Sequence, residues 1–219
     1  MAIIAFFYLL RVGEYTYNHP NAKKRTRPFT VNDVTFWKGT ESLNSNSPAS
    51  YLLANATSAT MSILNQKNGK RNQSVHHKAT KADYCPVKAL INRVSTILTH
   101  TPDHNTNIST YFPTARYRSR ELTAADMNRA IKYAVTTLRL DRQGLSPTQV
   151  GSHSFRAGGA MAMYLNGVPH DTIRKMGRWT SDTFLMYVHE QIAAVSETVA
   201  EQMSQPIDFH NVLQARNKP

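Results

Sequence analysis

Residues 151–159 read Gly-Ser-His-Ser-Phe-Arg-Ala-Gly-Gly, and residues 177–188 read Gly-Arg-Trp-Thr-Ser-Asp-Thr-Phe-Leu-Met-Tyr-Val. These two blocks carry both the folding signals and the chemistry of the C-terminal third. Ser152 or Ser154 opens a helix that should end near Gly167, and Asp171 to Met176 reads as a short helix closed by Gly177. Ser181 then caps a last helix running past Val188. His153 and Arg156 are three apart and share one face at a helix start, where the partial positive charge suits an anion such as phosphate. A lone His-x-x-Arg is usually a surface pair, but its company here is unusual. Ala157-Gly158-Gly159-Ala160 offers a small face that another element can approach closely. The Gly177-Arg178-Trp179 turn presents an indole N–H, and Tyr187 follows on the next helix.

Upstream, Ile3 to about Tyr15 is apolar on nearly every face and predicts one buried helix. Arg11 follows ten mostly apolar residues, with Glu14 on the same face. Such an arginine either neutralises last-turn carbonyls or is a rigidly rooted guanidinium that Glu14 orients. Residues 29–37 are rich in β-branched and aromatic residues and suggest a strand or two, and residues 39–50 read as a loop or insertion. Ala59 to Asn65 and Gln73 to His77 flank Lys67-Asn68-Gly69-Lys70, the signal for a hairpin. Pro86 to about Thr99 puts Val87, Leu90, Ile91, Val94 and Leu98 on one helical face. Residues 101–120 read as an irregular basic loop, and Thr123 caps a helix running to about Leu138. The fold class expected is α+β, mainly helical, with a small antiparallel sheet and one domain over residues 1–205. Residues 206–219 form a tail.

The 219 residues carry 26 Lys and Arg against 14 Asp and Glu, a formal charge of +12 that makes a polyanion the first partner to test. Residues 42–82 hold no acidic residue, and Lys23, Lys24, Arg25 and Arg27 form a second basic cluster. That cluster reads as a solvated loop, a nuclear-localisation signal or a DNA contact, with Lys70 and Arg71 further DNA candidates. Aromatic residues are not interleaved as stacking platforms, which favours duplex over single-stranded DNA. The single cysteine, Cys85, excludes a disulfide framework and a cysteine-based zinc site and fits a reducing compartment. The apolar run Met1 to Leu10 is about half of the roughly 20 residues a membrane span needs. An intracellular protein is expected, nuclear if its source is eukaryotic, with no membrane partner.

Taken together, Arg11 with Glu14, Lys67 before the Asn-Gly turn, His153 and Arg156, Trp179, and Tyr187 resemble the catalytic domain of the tyrosine recombinase (phage-integrase) family, in the family's order. The C-terminal block looks most like recombinases of eukaryotic mobile elements. The resemblance implies cleavage and religation of DNA strands through a 3′-phosphotyrosyl bond, with Tyr187 as nucleophile. Arg11, Arg156 and Trp179 would hold the phosphate, His153 would move the phenol proton, and Lys67 would act as general acid. Lys70, across the same turn, is the other candidate for the acid. No metal or other cofactor is implied, and the expected partners are double-stranded DNA and further copies of the chain, as a tetramer on DNA. The family's N-terminal core-binding domain is expected to be absent, leaving one-sided, salt-sensitive DNA binding. Three other readings stay open: a truncated or inactive relic that only binds DNA, a related topoisomerase, and a non-catalytic helix-turn-helix binder built on residues 161–179. The last leaves Arg11, Lys67 and Tyr187 without a role.

Overall fold

The computed structural model describes residues 1–17, 27–65, 71–113, 119–182 and 184–186. The first helix, α1 (Ala2–Phe7), is far shorter than the apolar run that encodes it. Leu10 N–H bonds back to the Ala5 carbonyl (3.0 Å) and Leu9 N–H to that of Phe6 (3.3 Å), while Leu9 sits at φ +49°. This is a Schellman closure with leucine where glycine is usual. The left-handed backbone costs about 1–2 kcal/mol in a non-glycine residue. Full burial of the Leu9 side chain offsets part of that cost. The chain restarts as the one-turn helix α2 (Val12–Tyr15), with Arg11 at its N-cap. The single helix expected from Ile3 to Tyr15 is therefore two, because the chain reverses its backbone handedness at Leu9.

Downstream of residue 27, Thr30 and Asp33 form a capping box around a single 3-10 turn, Val31–Asp33. Strand β1 (Val34–Lys38) follows. The segment expected to be a loop holds strand β2 (Glu41–Leu43) and the start of α3 (Ala49–Asn55), which Pro48 precedes. Strands β3 (Ser58–Asn65) and β4 (Arg71–Lys78) complete an antiparallel sheet in the order β2-β1-β3-β4. The register sets Val34 opposite Met61 and Met61 opposite Val75, so one face is apolar. That face packs on α4 (Pro86–His100), which buries Val87, Leu90, Ile91, Val94 and Ile97 at helical spacing. The expected hairpin strands and α4 are both present; the Asn-Gly turn lies outside the described residues.

Residues 101–120, read as a loop, contribute β5 (Thr110–Tyr111), which pairs with β6 (Arg120–Glu121). Thr123 caps α5 (Ala124–Thr137) as expected: its hydroxyl accepts from Asp126 N–H, and the Asp126 carboxylate accepts in return. Helix α6 (His153–Leu165) begins at Ser152, whose own side chain does not cap it. Asn128 of α5 instead accepts the Ser152 N–H at 2.6 Å, and the Tyr15 hydroxyl donates to the Ser152 carbonyl at 3.3 Å. Helix α7 (His170–Gly177) ends one residue later than expected, and the left-handed residue that closes it is Arg178 (φ +58°), not Gly177. Helicity resumes at residues 184–186, and the expected run past Val188 lies outside the described residues. Among the described residues, no helix is long and apolar enough to cross a membrane.

Helix α1 packs against both α4 and α6. The glycine pair supplies the close contact with α6: a Cβ on Gly159 would stand 2.5 Å from the Phe6 carbonyl oxygen, whereas one on Gly158 would only touch the Phe6 ring at 3.6 Å. The end of α1 is fastened to the sheet by His77 of β4. Its Nε2–H donates to the Phe7 carbonyl at 2.7 Å, and its ring meets the Tyr8 ring edge-on at 4.8 Å.

Burial holds the His77 pKa below the ordinary histidine value, with the Phe7 bond opposing and His76 adding to the effect. The unfolded chain therefore binds a proton at His77 more readily than the folded one. The neutral-state stability is complete above the ordinary value of about 6.5 and is lost as pH falls from there through the depressed folded value. Thermal unfolding between pH 7.5 and 5 should show a smaller drop in Tm for His77→Gln than for the wild type, and equal slopes would exclude His77 as the cause.

Candidate functional site

The Schellman turn of α1 leaves the carbonyls of Tyr8 and Leu9 without helical partners, and two arginines from the C-terminal third take them. Arg156, on the first full turn of α6, donates from Nη1 to the Leu9 carbonyl and from Nη2 to the Gly177 carbonyl. Arg178 donates to Tyr8 O (3.2 Å), to Leu9 O (3.3 Å) and to Glu14 Oε2 (2.6 Å). Glu14 also accepts the Arg11 backbone N–H at 2.8 Å, and its other oxygen accepts Arg11 Nη1 at 3.3 Å. Glu14, Arg156 and Arg178 are 1%, 2% and 3% exposed, while the Arg11 side chain keeps 22% of its surface open. Two guanidiniums thus meet one carboxylate, and a third joins them through the shared Leu9 carbonyl, in a nearly dry junction of α1, α2, α6 and the turn after α7.

Trp179 completes this junction. Its ring covers the Arg156 guanidinium, with the Arg Cζ 4.2 Å from the ring centroid. Gly177 makes room for it, since a Cβ there would lie 1.6 Å from the indole. Phe184, fully buried, packs against the same ring at 5.7 Å. A polar cleft of about 440 Å³ opens between β4 and the end of α7, with Gln73 and Ser74 on one side and Lys175, Arg178 and Trp179 on the other.

The sequence-predicted residues fall into four groups. Arg11, Glu14, Arg156 and Trp179 are brought together. His153 opens α6 one turn before Arg156 and is exposed. Lys23, Lys24, Arg25, Lys67, Lys70 and Tyr187 lie outside the described residues, as does the Arg71 side chain. Arg27 is drawn to buried Asp33 at 2.7 Å, so part of its charge is already matched within the fold.

Arg178 is the residue sequence reasoning missed. An arginine at the end of a short helix looks like an ordinary dipole partner, and nothing nearby reveals that it is buried. Burial pushes its guanidinium below the usual arginine range, Glu14 opposes this, and Arg11 adds to it. The arrangement can hold a tetrahedral anion: cationic, rooted in core elements, walled by an indole and open on one side.

No family model matches the sequence, and no curated protein matches it. Among solved structures, the chain is similar to a Tn1549 transposon integrase in complex with transposon right end DNA, at 12% identity and a TM-score of 0.43. The match covers 91% of this chain and 57% of that one, so this chain spans little more than half of the integrase structure.

Glu14→Ala would leave Arg178 buried without its counter-charge, a loss of about 3–5 kcal/mol for a broken buried pair. Urea unfolding should show that decrease, with Glu14→Gln milder because it keeps an acceptor. An unchanged midpoint for Glu14→Ala would mean that the pair carries no stability.

Proposed function

We propose that residues 1–205 are the catalytic domain of a tyrosine-type site-specific DNA recombinase or integrase, followed by a tail over residues 206–219. The observation that carries this reading is the cluster in which Arg11 and Arg178 hold one buried carboxylate, Arg178 shares the Leu9 carbonyl with Arg156, and Trp179 covers Arg156, with an excess of positive charge at a polar cleft. Phosphoryl transfer develops negative charge on non-bridging oxygens, and guanidiniums fixed in advance stabilise that charge without reorganisation. Arginine suits the task better than lysine because its planar fork matches two oxygens at once.

In the proposed reaction the Tyr187 oxygen attacks phosphorus, the new O–P bond forms, and the P–O5′ bond breaks. The phenol proton passes to His153, exposed at the start of α6. Lys67 gives a proton to the departing 5′ oxygen. Religation is the reverse, with a 5′-hydroxyl attacking the phosphotyrosine. The roles of Tyr187 and Lys67 rest on the sequence resemblance, as does placement among recombinases of eukaryotic mobile elements. Lys23, Lys24, Arg25, Arg27, Lys70 and Arg71 would contact backbone phosphates of duplex DNA inside the cell, where four copies would assemble.

A nicked suicide duplex tests the reading directly. The wild type should accumulate a covalent protein–DNA adduct on a denaturing gel, and Tyr187→Phe should abolish it. Arg11→Ala should slow adduct formation by 10²–10³-fold, the usual cost of about 3–4 kcal/mol for one preorganised donor, with duplex affinity nearly unchanged because many phosphates share the binding. An adduct that persists in Tyr187→Phe refutes the assignment of the nucleophile.

A 5′-bridging sulfur substrate identifies the acid, because its leaving group needs no proton. Cleavage of that substrate should be restored in Lys67→Ala and unaffected by the Lys70→Ala change. Rescue of Lys70→Ala instead would move the role to Lys70.

A further inference from the structure

Arg178 joins both ends of the candidate site. Its Nη1 holds the Tyr8 carbonyl, and its Nη2 reaches both the Leu9 carbonyl and Glu14. Leu9 O is also the acceptor of Arg156, so one carbonyl oxygen ties the two guanidiniums together. Glu14 grips Arg11 twice, once through the backbone and once through the side chain. A path of direct contacts therefore runs Arg156, Leu9, Arg178, Glu14, Arg11.

The same side chain is costly in its own right. It is almost fully buried, its Nε finds no partner among the described residues, and its backbone occupies the left-handed region that favours glycine. Apolar residues often replace a buried ion pair with no loss of stability. Stability alone therefore gives no reason for an arginine here, whereas a planar fork that meets two carbonyls and a carboxylate at once fixes a geometry. We propose that Arg178 is a positioning residue that sets the Arg11 guanidinium relative to the Arg156 guanidinium and so shapes the anion pocket. The inference rests on the phosphoryl-transfer reading of that pocket. Arg178 acts through Glu14 and the carbonyls of Tyr8 and Leu9.

The test uses the full chain as wild type, Arg178→Lys, Arg178→Met and the double variant Arg178→Met/Glu14→Gln, which leaves no unpaired buried charge if the single variant fails to fold. Two readouts are taken on folded protein: single-turnover cleavage of a nicked duplex at saturating DNA, and the Nε–Hε signals of Arg11 and Arg156 during titration with inorganic phosphate. A positioning role gives at least a tenfold slower cleavage in Arg178→Met or the double variant, with duplex Kd within twofold and Arg178→Lys intermediate. In an Arg11→Ala background the Arg178→Met change should cost less than threefold, since both act on one element. Wild-type cleavage in a folded variant, or fully additive losses, overturns the proposal. If the wild type forms no adduct, the recombinase reading fails, and the phosphate titration decides the Arg178 proposal by itself. Loss of the paired Arg11 and Arg156 response in the variants supports it. A response equal to wild type, or none in the wild type, overturns it.

Discussion

A carboxylate with 1% of its surface exposed cannot stay charged unless positive groups surround it, and Glu14 has two arginines within hydrogen-bond distance. One of these comes from its own helical turn and the other from 164 residues further along the chain. The interaction therefore joins the beginning of the fold to its C-terminal third. It also explains why the first helix stops early: a helix continuing through Leu9 would hold the carbonyls of Tyr8 and Leu9 in its own ladder, and neither would reach Arg156 or Arg178. Breaking the helix, burying the carboxylate and gathering the guanidiniums are parts of one solution.

The sheet and α4 serve this junction from the other side. His77 reaches from β4 to the last carbonyl of α1, and the Tyr8 hydroxyl donates to the Ala59 carbonyl of β3 at 3.4 Å. Tyr15 and Asn128 hold the Ser152 peptide that precedes His153, so the start of α6 is set by two other elements. Side chains in the cluster inherit their placement from such backbone anchors, which keeps their geometry independent of solvent-exposed loops.

What could be read in advance followed local signals. Regular apolar spacing from Val87 to Leu98 marked α4, Thr123 marked the start of α5, and the Asn-Gly pair between two extended runs marked the hairpin strands. Candidate residues were legible where spacing itself was informative, as at His153 and Arg156 or Arg11 and Glu14, and the fold brings three of these four together. The misses have a common origin in tertiary structure. No glycine or proline announces the break at Leu9, because packing holds a leucine in a conformation its own preferences resist. Short elements such as β2 and α3 have little local signal of their own; Ser42 pairs with Trp37, and Leu52 is buried by neighbours distant in sequence. Nothing in the sequence singled out Arg178, because burial is a property of the assembled fold.

The two adjacent glycines of α6 have unequal futures under mutation. At position 158 an added methyl would meet only the edge of the Phe6 ring, so alanine can enter by ordinary drift. At position 159 the obstacles are the Leu9 side chain and the Phe6 carbonyl oxygen, both 2.5 Å away. Trimming Leu9 would remove the first obstacle and leave the second, which belongs to the backbone of α1. No single compensating change can admit a larger residue there, and the whole helix would have to retreat, taking with it the carbonyls that the arginines hold. In lineages descending from this sequence, position 159 should stay glycine long after its neighbour has wandered.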